Sequence, residues 1–178
     1  MAGFVVVVRF DHGIKPLPDG ERPVTDGLLG TSVWQSAEQE QQNVLILNFR
    51  DQEAAKEHGR RVIDIILDAP ADDAFPPDSV SHITLSEKFD VTFESATTGS
   101  YMMMGHVQTN PGLGWQAKSQ ISATGTDIKL LPGYAGRAMG SQVANDDNVW
   151  FFAFWDTVPS LTLPEDIAKT SGLLQKIR

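Results

Sequence analysis

The 178-residue sequence contains no cysteine. That absence excludes disulfides, thiolate metal centres, iron–sulfur clusters and a cysteine nucleophile. Positive charge is also in short supply, with 14 Lys and Arg against 23 Asp and Glu, a formal net charge of −9. Such a balance repels nucleic-acid phosphates and anionic membrane surfaces. The one basic cluster, HGRR at 58–61, reads as the solvated face of a helix. No apolar run approaches the roughly 20 residues of a membrane span. The run at the N-terminus is short and is followed at once by Arg9, unlike a secretory signal. No Walker loop, dinucleotide turn or GxSxG elbow is present, and the histidines at 12, 58, 82 and 106 lack metal-ligand spacing on any one element. The expectation is a cytoplasmic protein without a metal site, with neither nucleic acid nor membrane as its partner. Homodimer formation is left open.

What is present is ordinary globular composition, 41% hydrophobic and 21% charged. GFVVVVRF at 3–10 is short and β-branched, hence a strand. Prolines and glycines fill 11–27 and leave no room there for a helix of useful length. LLGTSVWQ at 28–35 and NVLILNFR at 43–50 then predict a hairpin. A helix follows, with Asp51 as its N-cap. Its buried stripe is expected to run through Ala54, Ala55, Val62, Ile65 and Ile66. Residues 81–95 alternate as one bent strand or two short ones, SYMMMGHVQ restarts the pattern at 100–108, and 111–131 holds a weak helix. YAGRAMGSQ and NVWFFAFW form a second hairpin around VANDD. From about Thr162, Pro164, two early acids and a basic end predict a capped C-terminal helix.

The second half thus repeats the first. Gly27 and Gly30 match Gly133 and Gly136 at an offset of 106, and Asn43, Val44, Phe49 and Asp51 match Asn148, Val149, Phe154 and Asp156 at 105. Each half runs strand, connection, glycine-framed hairpin, helix, which is the ferredoxin-like plan. Residues 44–49 are apolar on both alternation sets apart from Asn48, and a strand of that kind needs both faces covered. Helices would cover one face and the twin sheet the other. The expected fold class is therefore α+β: two fused ferredoxin-like repeats, 1–97 and 98–178, forming a sheet-on-sheet barrel core within one chain.

GLLGTSVWQS, the strand NVLILNF and DQEAAKEHGRRVIDII resemble the antibiotic biosynthesis monooxygenase family, whose fold is the dimeric α/β barrel. In that pattern a strand ends in an aromatic and the following helix carries a His nine residues later, here Phe49 and His58. PGYAGRAMGSQ and FWDTVPSL repeat it more loosely, with Trp155 near the aromatic position and no His. The chain departs from the pattern in lacking a first helix in its first half and a fourth strand in its second. It also lacks the strand Asn and helix Trp of the related heme-degrading branch. The resemblance implies an oxygenase, or a related isomerase, that uses no cofactor and acts on a small aromatic or enolisable substrate. The alternative is a non-catalytic binding or assembly protein on the same barrel.

Four residues are candidates for the chemistry. His58, in line with Ala54, Ala55, Val62 and Ile65, would face the sheet and exchange protons with a bound phenol or enol. A hydrogen-bonded packing histidine is the plainer reading. If Phe4 aligns with Tyr101, then Arg9 and His106 take equivalent strand-end positions behind apolar residues, where they would stabilise an oxyanion or carboxylate. Strand-end exposure explains them equally. Asn48 breaks an apolar run and would orient a carbonyl, unless neighbouring backbone satisfies it. Trp34, Trp115, Trp150 and Trp155, with Met102, Met103 and Met104, would line a flat aromatic cavity for the substrate, although such residues more often serve as core.

Overall fold

The computed structural model describes residues 3–10, 23–36, 43–67, 79–86, 99–159 and 171–176. Eight strands and two helices follow in the order β1 (Phe4–Phe10), β2 (Leu28–Ser36), β3 (Asn43–Phe49), α1 (Gln52–Leu67), β4 (Val80–Leu85), β5 (Tyr101–Gln108), α2 (Gly114–Ile128), β6 (Tyr134–Gln142), β7 (Asn145–Trp155) and β8 (Ser171–Lys176). The strands close into a barrel in the order β1-β3-β2-β8-β5-β7-β6-β4, every neighbouring pair antiparallel. None of the described helices is long and apolar enough to cross a membrane.

The doubly apolar strands explain the layering. On β1, Val5 and Val7 point into the barrel, where they meet Ile46, Met102, Phe152 and Phe154. Phe4, Val6 and Val8 point outward and pack with Leu45, Leu47 and Phe49 beneath α1. Met103, Phe151, Ala153 and Trp155 form the matching outer layer on the far side, flanked by Ile121 and Ile128 of α2. At about 1.5–3 kcal/mol for each fully buried large side chain, leaving either face wet would cost more than a domain's whole stability.

Local signals set the helix ends. Asp51 accepts the Ala54 N–H through Oδ1 at 2.9 Å, satisfying one of the donors that a helix start leaves open. α2 has no such cap of its own. Instead the Asp147 carboxylate of β7 accepts the N–H groups of Gly112 and Gly114 at 3.0 and 3.1 Å.

The two runs β4-β1-β3-β2 and β8-β5-β7-β6 share one internal order and meet at short seams. At the first, Trp34, Gln35 and Ser36 pair with Lys176, Gln175 and Leu174. At the second, Ile83, Thr84 and Leu85 pair with Gln142, Ser141 and Gly140. Register shifts interrupt β2 between Leu28 and Gly30 and β6 between Tyr134 and Gly136. Gly27 and Gly133 both have φ of 76°, a left-handed conformation that favours glycine, and each accepts an equivalent hydrogen bond, from Arg50 N–H at 2.7 Å and Asp156 N–H at 2.8 Å.

Several expectations are corrected. Ser171–Lys176 lie in a strand, not a C-terminal helix. β8 hydrogen-bonds both β2 and β5 and closes the barrel, and those ladder bonds outweigh a modest helix propensity. The second hairpin turns at Val143–Ala144, tighter than VANDD, with Ala144 at φ 65°. Registers also decide between the two offsets. Phe4 opposes Phe49 and Tyr101 opposes Trp155, so the counterpart of Phe49 is Trp155, at 106. The match of Phe49 with Phe154 at 105 joins an outward residue to an inward one, which the two-residue strand period forbids. The second part of the 81–95 segment, from 87 onward, lies outside the described residues.

A Cβ on Gly140 would strike the Thr84 carbonyl oxygen, and Ile83 Cγ2 at 2.8 Å, across the β4–β6 seam. Gly140→Ala is expected to destabilise by about 1–3 kcal/mol through overpacking. Gly30→Ala, with nothing within 4 Å of the added carbon, should stay within about 0.5 kcal/mol. Urea unfolding of both variants tests this, and equal effects would contradict the close seam.

Candidate functional site

The inward positions of β1 and β5 are apolar up to Arg9 and His106. Val5 and Val7 are followed by Arg9, and Met102 and Met104 by His106. The two strands run in the same direction and lie four places apart in the ring of eight, so both C-terminal ends open at the same mouth. Arg9 opposes Val44 and His106 opposes Trp150. At the offset of 106, these are equivalent rungs.

Trp150 joins them. The His106 and Trp150 rings are stacked, with centroids 4.9 Å apart and planes 21° apart. The Arg9 guanidinium carbon lies 5.0 Å from the Trp150 ring centroid, within cation–π range. Phe152 continues the stack inward, 6.4 Å from Trp150 and again at 21°.

The electrostatics follow from burial. No ion pair forms at Arg9 among the described residues. Desolvation lowers its pKa, yet a guanidinium starts too high to lose its proton. His106 is also held below the ordinary histidine value, first by burial and then by the positive charge of Arg9. The mouth therefore carries a fixed cation beside a neutral imidazole at neutral pH. His106 Nδ1 and Trp150 Nε1 are both buried without a hydrogen-bond partner. An unmet buried polar group costs about 1–3 kcal/mol, so each is left open to a further partner.

The other expected site residues are distributed differently. Met104 faces inward one rung below His106, opposite Phe152 and Gly172. Trp34 is fully buried in the interior, where its Nε1 donates to Ser32 Oγ at 2.8 Å and its ring meets Phe154 at 5.9 Å. Asn48 opposes Val5 rather than Arg9. It sits four residues along the ladder from the Arg9 rung, about 13 Å away at 3.3 Å per residue. It is buried near the opposite end, with Oδ1 unpartnered.

Trp155 and His58 are outside the barrel. Alternation sends Phe154 inward and Trp155 outward beneath α2. On α1 the buried stripe runs through Ala55, Gly59, Val62 and Ile66, flanked by Ala54 and Ile63, while Ile65 is 39% exposed. Helical rotation turns His58 off that stripe, leaving Nε2 3.8 Å from the Glu57 carboxylate. The sheet of β1 and β3 separates it from the mouth. Sequence reasoning placed Trp150 only among the possible cavity aromatics, because the β5–β7 register is what shows that it faces His106. Its shared parity with Phe152 and Phe154 was the available signal.

No family model matches the sequence, and comparison with curated proteins finds no match. The fold does match solved structures. A protein provisionally assigned as a monooxygenase, from Fusobacterium nucleatum, aligns with a TM-score of 0.60 at 11% identity over 99% of this chain and 93% of that one. An anthrone oxidase-like protein aligns at 0.59 and 9% identity over 99% and 92%. A protein provisionally assigned as a chlorite dismutase aligns at 0.54 and 9% over 100% and 96%. At these identities the likeness is one of fold.

Because the folded state holds His106 low, the unfolded chain takes up that proton first as pH falls. Stability is then lost from the ordinary value near 6.5 downward until the folded imidazole protonates too. His82 shifts in the same direction through burial, so the contribution of His106 is isolated by His106→Gln, which should lessen the fall in Tm between about pH 7 and about pH 5. Arg9→Met should raise the His106 pKa in an NMR titration. An unmoved value would mean that the two groups do not share the mouth.

Proposed function

We propose that this chain is an oxygenase-like enzyme that needs no cofactor and acts on a small aromatic or enolisable substrate at the Arg9–Trp150–His106 mouth. The observation that carries the reading is a cation with no ion pair among the described residues, beside a neutral imidazole whose Nδ1 has no hydrogen-bond partner, at the end of an apolar barrel. A barrel fold like those of proteins described as monooxygenase and anthrone oxidase-like supports it. In this reading His106 Nδ1, as the acceptor nitrogen of an Nε2–H tautomer, takes a proton from the substrate. The positive charge of Arg9 stabilises the resulting oxyanion. The substrate anion then reduces dioxygen. One oxygen atom ends in the product, and the other leaves as water with two hydrogens lost by the substrate.

Met104 and Phe152 form the wall below the mouth and exclude water from the anion. Asn48 has no part in this step, and neither has His58, which lies half-buried on α1 outside the barrel. We also read the chain as two fused ferredoxin-like repeats, 1–97 and 98–178. The shared strand order, paired bulges and matching left-handed glycines support that reading.

The packed interior favours one other reading. Trp34, Phe152, Phe154 and Met102 are all essentially inaccessible to water, which suits a binding protein that admits a ligand only at its mouth. Oxygen uptake with dihydroxy-aromatic and anthrone-like compounds separates the two. Turnover is expected, with Arg9→Met and His106→Asn each losing roughly a hundredfold or more in kcat/KM and His58→Ala remaining active. Turnover unchanged in the Arg9→Met, His106→Asn double variant would overturn the assignment.

A further inference from the structure

The charge state of the mouth says more about what enters it than the fold does. Arg9 is partly withdrawn from water in a chain with nine more acids than bases, yet none of the described carboxylates pairs with it. Arg50 and Arg60, by contrast, engage Asp51 and Asp64 at the surface. The face of Trp150 compensates the cation only in part. The indole N–H of the same Trp150 is a donor with no acceptor capacity, and it is buried without a hydrogen-bond partner. A partly buried cation beside an unmet donor favours an acceptor that brings negative charge.

We propose that the barrel mouth binds a planar monoanion carrying a carboxylate, with the carboxylate on Arg9 and the Trp150 N–H and the ligand's ring against the stacked rings. This rests on the placement of the active site at the same mouth and assigns the charge that its substrate bears. A carboxylate matches the fork of a guanidinium with two parallel hydrogen bonds and has lone pairs left for the indole. A neutral carbonyl leaves the charge of Arg9 uncompensated. A phosphate dianion presents three acceptor oxygens and a second charge, against one cation and a neutral histidine. Planarity follows from the wall, because His106, Trp150 and Phe152 lie within 21° of one another in successive pairs. A flat ring extends that stack at an offset-stacked distance.

The test follows the Trp150 indole N–H resonance, assigned by its loss in Trp150→Phe, during titration with benzoate, benzamide and inorganic phosphate. Benzoate should move that resonance to saturation. Benzamide, of the same shape without the charge, should bind at least about thirtyfold more weakly, and folded Arg9→Met should lose the distinction. Three results would each overturn the proposal: benzamide equal to benzoate, phosphate tighter than benzoate, or benzoate affinity unchanged in Arg9→Met. Benzoate binding without oxygen consumption by any enolisable compound would remove the oxygenase reading and uphold this one. Oxygen consumption indifferent to a carboxylate on the substrate would do the reverse.

Discussion

Strands β1, β3 and β7 are apolar on both faces, and water can be excluded from both only if something covers each. The helices cover the outer faces. The inner faces cover one another, and they do so completely only when the sheet closes on itself. Closure also removes the free edges along which an open sheet would pair with other chains. The rest of the architecture follows, including the short seams, the glycine at the β4–β6 contact and the recruitment of Ser171–Lys176 as the strand between β2 and β5. The mouth follows as well. Arg9 and His106 end strands that start far apart in sequence, and a closed ring brings both onto Trp150.

The chemistry of the mouth comes from being at the boundary of that closed interior. One rung deeper, an Arg would be stranded without water. One rung further out, a histidine would titrate as in solution and could serve equally as a surface cation. Partial burial keeps Arg9 charged and His106 neutral, and the field of Arg9 reinforces the second effect. A neutral imidazole and a guanidinium thus stand side by side, with no ion pair to Arg9 among the described residues. The solved structures that share the fold bear descriptions from more than one chemistry, so function must be argued from such a site rather than from the barrel.

How much of this was legible in the sequence depended on whether the signal was local. The first three strands, the Asp51 cap and the need for a covered sheet were readable because a few neighbouring residues fix each. The equivalence of Arg9 and His106 was readable because both interrupt the same inward series. β8 was not, since its six residues become a strand only through hydrogen bonds to β2 and β5 that no local pattern announces. His58 was misplaced by reading Ile65 as buried. Gly59 belongs to the buried stripe, where an added Cβ would meet Phe49 at 4.0 Å, and His58 falls on the flank of that stripe. The identity of Phe49 with Phe154 misled for a related reason, as a one-residue error of register exchanges the two faces of a strand.

Cross-relaxation in solution between the Arg9 side chain and the Trp150 ring tests the central claim most directly. The account predicts contacts from the Arg9 δ protons to the indole, upfield ring-current shifts of those protons, and contacts from the same indole to the His106 ring. An Arg9 side chain with the shifts of a freely solvated arginine and no contact to Trp150 would contradict it.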